Sequence, residues 1–304
     1  MTINIKQTDT FIWYDVQNIS PDDKNFLEQD LNIPNLFLAY ATDPNEQARF
    51  QTDSLGQLNM IVFSTVSNVN NSQIKPVTFI YDTDDHYLIS ITNQQTQFIT
   101  DVMLHILADS PTPTVPIALI LATLMQQTAA VFDTIETLTN HITRLQEHLT
   151  QKGRGHRRIE TMLRVKIRTA NVANAIHSNN TLIQSLKVFN KQHWQHHLHQ
   201  QLNALAIELN QASSMIDTAQ IMIDATSDAY SNIADYRLNS IMKWLTVWSI
   251  LLTMPTIVSG FYGQNVALPL AHGAFSWIGT LIITLLLIII TVIALWLAGY
   301  LKND

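Results

Sequence analysis

The chain contains no cysteine, so disulfides, thiolate metal sites and cysteine nucleophiles are excluded. Charge is scarce as well: only 13% of residues are Asp, Glu, Lys or Arg, and the acids outnumber the bases to give a net charge of -7. That balance argues against nucleic acid as a partner. Residues 1–10 are polar with no apolar core, so no signal peptide is expected. Near the apolar segments there is no phosphate-cradling glycine loop, nucleophile–base pair or metal-hydrolase motif, and an enzyme is not expected.

What the chain does have is hydrocarbon, unevenly placed. Mean hydropathy is only +0.09 because the apolar excess is concentrated near the C-terminus. Residues 244–261 carry no formal charge and would extend about 27 Å as a helix; residues 275–301, also uncharged, would extend about 40 Å. A bilayer's hydrocarbon core is about 30 Å thick, so both can cross it. Two C-terminal transmembrane helices are therefore expected, not a polytopic bundle. Arg237 and Lys243 precede the first span, Lys302 follows the second, and the connection has no Lys or Arg. The positive-inside rule then places both termini, and about 235 residues, in the cytoplasm.

The first span has one polar face. Steps of three and four from Asn239 meet Met242, Thr246, Ser249, Thr253, Thr256, Gly260 and Gly263, while Leu245, Val247, Trp248, Ile250, Leu251, Leu252, Met254 and Ile257 are bulky and apolar. Pro255 is the exception. Hydroxyls on one line among large hydrocarbons are built to face something polar inside a membrane, as a pore would be. Extended backwards, the line reaches Asp235, Asn232 and Asp228, with Asp224 and Asp217 beside it. The plain reading is a solvated helix face, but acids around an axial cavity would concentrate cations.

Upstream, Pro111, Pro113 and Pro116 divide the soluble part, since no helix interior tolerates such a cluster. Before it, strand patterns recur at 11–16, 36–41, 58–66, 77–81 and 87–92, with a helix over 22–31 opened by Ser20-Pro21-Asp22. Residues 1–115 thus read as a small α/β domain. Helical periodicity at 117–149, a turn at 151–156 and helix again at 157–190 predict an antiparallel pair over 116–195. From His196 no break signal precedes the first span, so residues 196–262 read as one stalk helix about 100 Å long, with 242–262 in the membrane. A loop at 263–274 leads to the second span, 275–301.

Three clusters admit simpler readings. His193, His196, His197 and His199 beside Trp194 could hold zinc or cobalt, but a polar turn between helices needs no metal. Asp82, Asp84 and Asp85 fit a hairpin turn between two strands. Lys152, Arg154, Arg157 and Arg158 suit lipid headgroups or acidic helices better than RNA.

Tyr262-Gly263-Gln264-Asn265 closing the first span, and residues 239–246 (NSIMKWLT) opening it, resemble the CorA family of magnesium channels, whose signature is Tyr-Gly-Met-Asn. Trp13-Tyr14-Asp15-Val16, Ser20-Pro21 and residues 43–49 (DPNEQAR) resemble the N-terminal domain of its Gram-positive members. The resemblance implies an α+β cytoplasmic domain, a long helical stalk and two C-terminal transmembrane helices. It further implies a funnel-shaped homopentamer in the bacterial cell (inner) membrane, in contact with lipid. Mg²⁺ would be both the transported and the regulatory ion, with no cofactor. Tyr262, Gly263, Gln264 and Asn265 would form the selectivity filter, the Asn265 amide and Gly263 carbonyl oxygens accepting hydrogen bonds from the water shell that Mg²⁺ holds tightly. Asn239 would form a second polar ring and Met242 and Leu245 a narrowing; Thr246, Ser249, Thr253, Thr256 and Gly260 would line the pore. Asp217, Asp224, Asp228 and Asp235 would sense cytoplasmic Mg²⁺.

The sequence departs from the family at three places. Gln264 replaces the usual Met, the loop between the spans has His272 but no acid, and the tail lacks a run of Lys and Arg. The alternatives are a zinc, cobalt or nickel transporter of the same fold, or a non-conducting membrane sensor or scaffold derived from it. The retained Thr246, Ser249 and Thr253 line argues against the second, since a decayed pore has no reason to keep it.

Overall fold

The computed structural model describes residues 3–68, 72–109, 113–147, 155–189, 196–264 and 276–300. They form two compact units, Met1–Ser227 and Asp228–Asp304. The first is built on six strands, β1 (Ile3–Gln7), β2 (Ile12–Gln17), β3 (Arg49–Thr52), β4 (Leu58–Asn68), β5 (Gln73–Asp82) and β6 (Tyr87–Thr92), in the order β1-β2-β6-β5-β4-β3. The β2/β6 ladder is parallel and the others are antiparallel. Alternate residues of β4 face opposite sides: Met60 and Val62 join one core, Ile61 and Phe63 the other. A strand buried on both faces reads as an apolar run without alternation, as Met60-Ile61-Val62-Phe63 does at the centre of the stretch 58–66.

On one face lie α1 (Pro21–Gln29) and α2 (Asn35–Thr42), whose Leu27, Phe37 and Leu38 pack with Met60, Ile80 and Ile89. Helix α1 starts where its cap predicts: Ser20 Oγ accepts from the Asp23 N–H at 3.2 Å and Asp23 Oδ2 accepts from the Ser20 N–H at 2.9 Å. Residues 36–41, expected as a strand, are instead the body of α2. A six-residue apolar run is ambiguous between helix and strand, and here a one-sided surface decides: Phe37 and Leu38 are buried while Leu36 is 49% exposed. Helix α3 (Phe98–Ala108), which the strand-and-proline pattern did not reveal, covers the other face through Ile99 and Met103.

Helices α4 (Pro116–Glu147), α5 (Gly155–Phe189) and the start of α6 (His196–Tyr262) complete that second layer. Leu119, Leu124, Leu182, Leu186, Leu202 and Leu209 share a core with Trp13 and Phe79, and a further cluster joins Ile135, Leu138, Val172, Ile176, Ile216 and Ile223. Gly155 and His156, expected in a turn, belong to α5; Lys152 and Arg154 lie outside the described residues, as does His193.

Two buried polar contacts tie these layers together. Asp15, fully buried, accepts from Thr100 Oγ1 on α3 at 2.9 Å, from Ser90 Oγ on β6 at 3.2 Å and from Gln17 Nε2 at 2.8 Å, with Lys6 Nζ at 3.9 Å. Asn179 of α5 reaches the outer edge of β4 beyond the end of β3. Its Nδ2 donates to the Ser64 carbonyl and its Oδ1 accepts from the Ser64 N–H, both at 2.9 Å. A side-chain amide there does what the next strand would do.

The second unit contains the end of α6 and helix α7 (Ser276–Leu297). Helix α7 stops at Leu297 rather than continuing to 301. Gly299 adopts φ 82°, the Gly299 N–H donates to the Trp296 carbonyl and the Tyr300 N–H to the Leu295 carbonyl, the pattern of a glycine-closed helix end.

Candidate pore-lining face

Helix α6 is 67 residues long, about 100 Å at 1.5 Å per residue. Its last third is coated with exposed hydrocarbon: Trp244, Leu245, Trp248, Leu252, Ile257 and Phe261 are each more than half exposed, as are Leu281, Leu285 and Ile290 of α7. Apolar surface on this scale requires lipid or further protein against it. By length and composition α4 could also cross a membrane, but its Ile117, Leu121, Leu124 and Leu138 are buried against the rest of the first unit.

Among this hydrocarbon lie the expected pore-lining positions. Asn239, Met242, Leu245, Thr246, Ser249, Thr253, Thr256 and Gly260 are all exposed. Thr246, Ser249, Thr253 and Thr256 each donate their hydroxyl proton to the carbonyl four residues earlier, at 2.9, 2.8, 2.7 and 3.3 Å. A hydroxyl committed in this way needs no other acceptor in hydrocarbon, and what remains on its oxygen is lone pairs alone. A file of such oxygens accepts hydrogen bonds and offers none, which suits a cation's water shell and repels no positive charge. Helix α7 has the same back-bonding at Thr284 and Thr291, at 2.8 Å in both cases. The feature particular to α6 is therefore the unbroken succession of hydroxyls along one line, ending in Gly260 and Gly263.

The helix closes at Tyr262, with the Gly263 N–H on the Ser259 carbonyl at 2.9 Å and the Gln264 N–H on Phe261 at 3.4 Å. A Cβ at residue 263 would sit 3.0 Å from the Ser259 carbonyl oxygen, whereas at Gly260 it would meet open space. Gly263 therefore allows the chain to leave the helix tightly. Asn265, the last expected filter residue, lies outside the described residues.

The acidic candidates separate into two pairs. Asp224 Oδ1 lies 2.7 Å from Lys166 Nζ, and Asp217 Oδ1 lies 3.3 Å from His177 Nε2, both partners being on α5. Asp228 and Asp235 are exposed and have no ion pair among the described residues. The sequence pattern could not find Lys166 or His177, because α5 is brought beside α6 only by packing.

The sequence matches the family described as "CorA-like Mg2+ transporter protein" over residues 8–298. No curated protein sequence matches it significantly. Among solved structures, the complete CorA magnesium transporter from Methanocaldococcus jannaschii is similar with a TM-score of 0.80 at 18% identity, covering 98% of this chain and 94% of that one. The full-length CmaX protein is similar at TM-score 0.72 and 15% identity, covering 94% and 88%. The ZntB cytoplasmic domain from Vibrio parahaemolyticus is similar at 0.60 and 13%, covering 75% and 90%. These structural likenesses concern the fold.

Proposed function

From the premise that this chain belongs to the CorA-like Mg2+ transporter family, we propose that it assembles as a homopentamer and conducts Mg²⁺ through an axial pore lined by α6. Members of this family are divalent-cation transporters of the membrane, not enzymes. The observation that carries the reading is the line Thr246, Ser249, Thr253 and Thr256, whose oxygens are left as acceptors by their bonds to the preceding turn. Helices α6 and α7 are the two spans, both termini are cytoplasmic, and Tyr262, Gly263, Gln264 and Asn265 form the outer mouth. Mg²⁺ keeps its waters, so acceptor oxygens can guide the hydrated ion without stripping it. Asn239 supplies a second amide ring, with Met242 and Leu245 narrowing the path beside it. Of the four acids, Asp217 and Asp224 are held to α5, while Asp228 and Asp235 gather in the assembly, and cytoplasmic Mg²⁺ among the latter holds the pore closed.

Gln264 favours a second reading, transport of zinc, cobalt or nickel, because an added amide changes the donor set at the filter. The test is flux into liposomes with Mg²⁺, Co²⁺ and Zn²⁺ in competition. Mg²⁺ is expected to enter preferentially, and Gln264→Met to sharpen that preference. Asn265→Ala is expected to abolish uptake with assembly intact. Thr253→Val, which keeps shape but removes the oxygen, should lower uptake several-fold, whereas Thr291→Val on α7 should not. Equal uptake by wild type, Asn265→Ala and Thr253→Val pentamers would overturn the pore assignment.

A further inference from the structure

The two parallel neighbours in the sheet end side by side. The Asn18 N–H, just past β2, donates to the carbonyl of Thr92, the last residue of β6, at 2.8 Å, and Asn18 turns the chain away with φ 53°. After β2 the chain enters α1 and α2 on one face; after β6 it enters α3 on the other. Adjacent parallel strands whose connections leave to opposite faces open a crevice at their carboxyl ends, the position where open α/β sheets hold ligands. Such a crevice is present here, a cavity of about 370 Å³.

A second observation points to an occupant. Lys24 and Asp43 both line the cavity and form no ion pair with each other. Asp43 Oδ1 accepts from the Asn45 N–H at 2.9 Å, which leaves the second carboxylate oxygen for another donor. Ile19 and Ile91 supply a hydrocarbon wall.

One cation, one carboxylate and an apolar wall match a zwitterion with a hydrocarbon body. We propose that this crevice is a binding site for a free amino acid with an apolar side chain, its carboxylate toward Lys24, its ammonium toward Asp43, and its side chain along Ile19 and Ile91. A cavity of this volume falls within the range of small-molecule sites.

The test is titration calorimetry on the detergent-purified full-length protein with L-leucine and L-phenylalanine. Saturable binding of at least one is expected, with Kd below about 1 mM. 4-Methylpentanoic acid, which lacks the ammonium, and isoamylamine, which lacks the carboxylate, should each bind at least about tenfold more weakly than leucine. Lys24→Gln and Asp43→Asn, at positions that are not buried, should each weaken binding about tenfold without changing thermal stability. Lys75→Gln, in the neighbouring polar cavity, should leave binding unchanged. Absence of binding by both amino acids up to about 10 mM, equal binding of the acid-only analogue, or unaltered affinity in the Lys24 and Asp43 variants would overturn the proposal. The readout is binding rather than flux, so either result stands apart from the pore assignment.

Discussion

Removing the side-chain amide of Asn179 should destabilise the first unit far more than the same change at its neighbour Asn180. Asn179 is 1% exposed and holds both backbone groups of Ser64 at 2.9 Å. Strand β3 pairs with β4 only as far as Val62, so no strand is available to take over at Ser64. Asn179→Ala leaves a buried N–H and a buried C=O without partners, each costing about 1–3 kcal/mol, or about 2–6 kcal/mol together. Water entering beside the shortened side chain would bring the loss toward the lower end, about 3 kcal/mol. In a domain of roughly 150–250 residues each kcal/mol moves Tm by about 2–4 °C, which predicts a fall of about 6–12 °C. Asn180 instead donates to Asn210 Oδ1 at 2.7 Å in an exposed contact, and Asn180→Ala should lower Tm by no more than about 3 °C. The assay is thermal melting of the purified full-length protein at one scan rate, followed by intrinsic fluorescence. A fall below about 2 °C for Asn179→Ala, or equal falls for the two variants, would refute the assignment of Asn179 as a surrogate strand partner.

Three further outcomes are expected. Gly263→Ala places a Cβ 3.0 Å from the Ser259 carbonyl oxygen, so the helix end must give by a few tenths of an ångström, and ion uptake should fall about tenfold in intact assemblies; uptake equal to wild type would show that the tight exit is dispensable. Because Asp217 and Asp224 already have partners on α5, the double variant Asp228→Asn, Asp235→Asn should remove most of the Mg²⁺-dependent protection from protease, with undiminished protection moving the sensor elsewhere. In the β5–β6 turn, burial first, then the charges of Asp82 and Asp84, raise the Asp85 carboxyl above its usual range. The folded state therefore holds that proton more tightly than the unfolded chain, and its contribution is present at low pH and lost as pH rises through the folded value. Asp85→Asn, which also tolerates the φ of 60° at this position, should raise Tm near pH 7 by roughly 1–3 °C and leave it unchanged near about pH 3. A gain that is the same at both pH values would rule out the charge explanation.

What the sequence determined by itself is local and periodic. A helix in hydrocarbon must satisfy its backbone within its own segment, so length and apolar content alone mark α6 and α7 as candidate spans, and the three-four spacing of Thr246, Ser249, Thr253 and Thr256 marks a polar line without knowledge of any neighbour. The β-rich stretch 58–66, the cap at Ser20 and the hairpin around Asp82 were legible for the same reason: each rests on contacts or patterns a few residues apart. Residues 36–41 show the limit, since a short apolar run becomes helix or strand according to the surface that receives Phe37 and Leu38. The tertiary structure alone decided that Asn179 meets Ser64 across 115 residues, that Lys166 and His177 take Asp224 and Asp217, and that β2 and β6 run parallel to open a crevice beside Thr92. No spacing in the chain encodes these partnerships, because each arises from which faces of distant elements exclude water together.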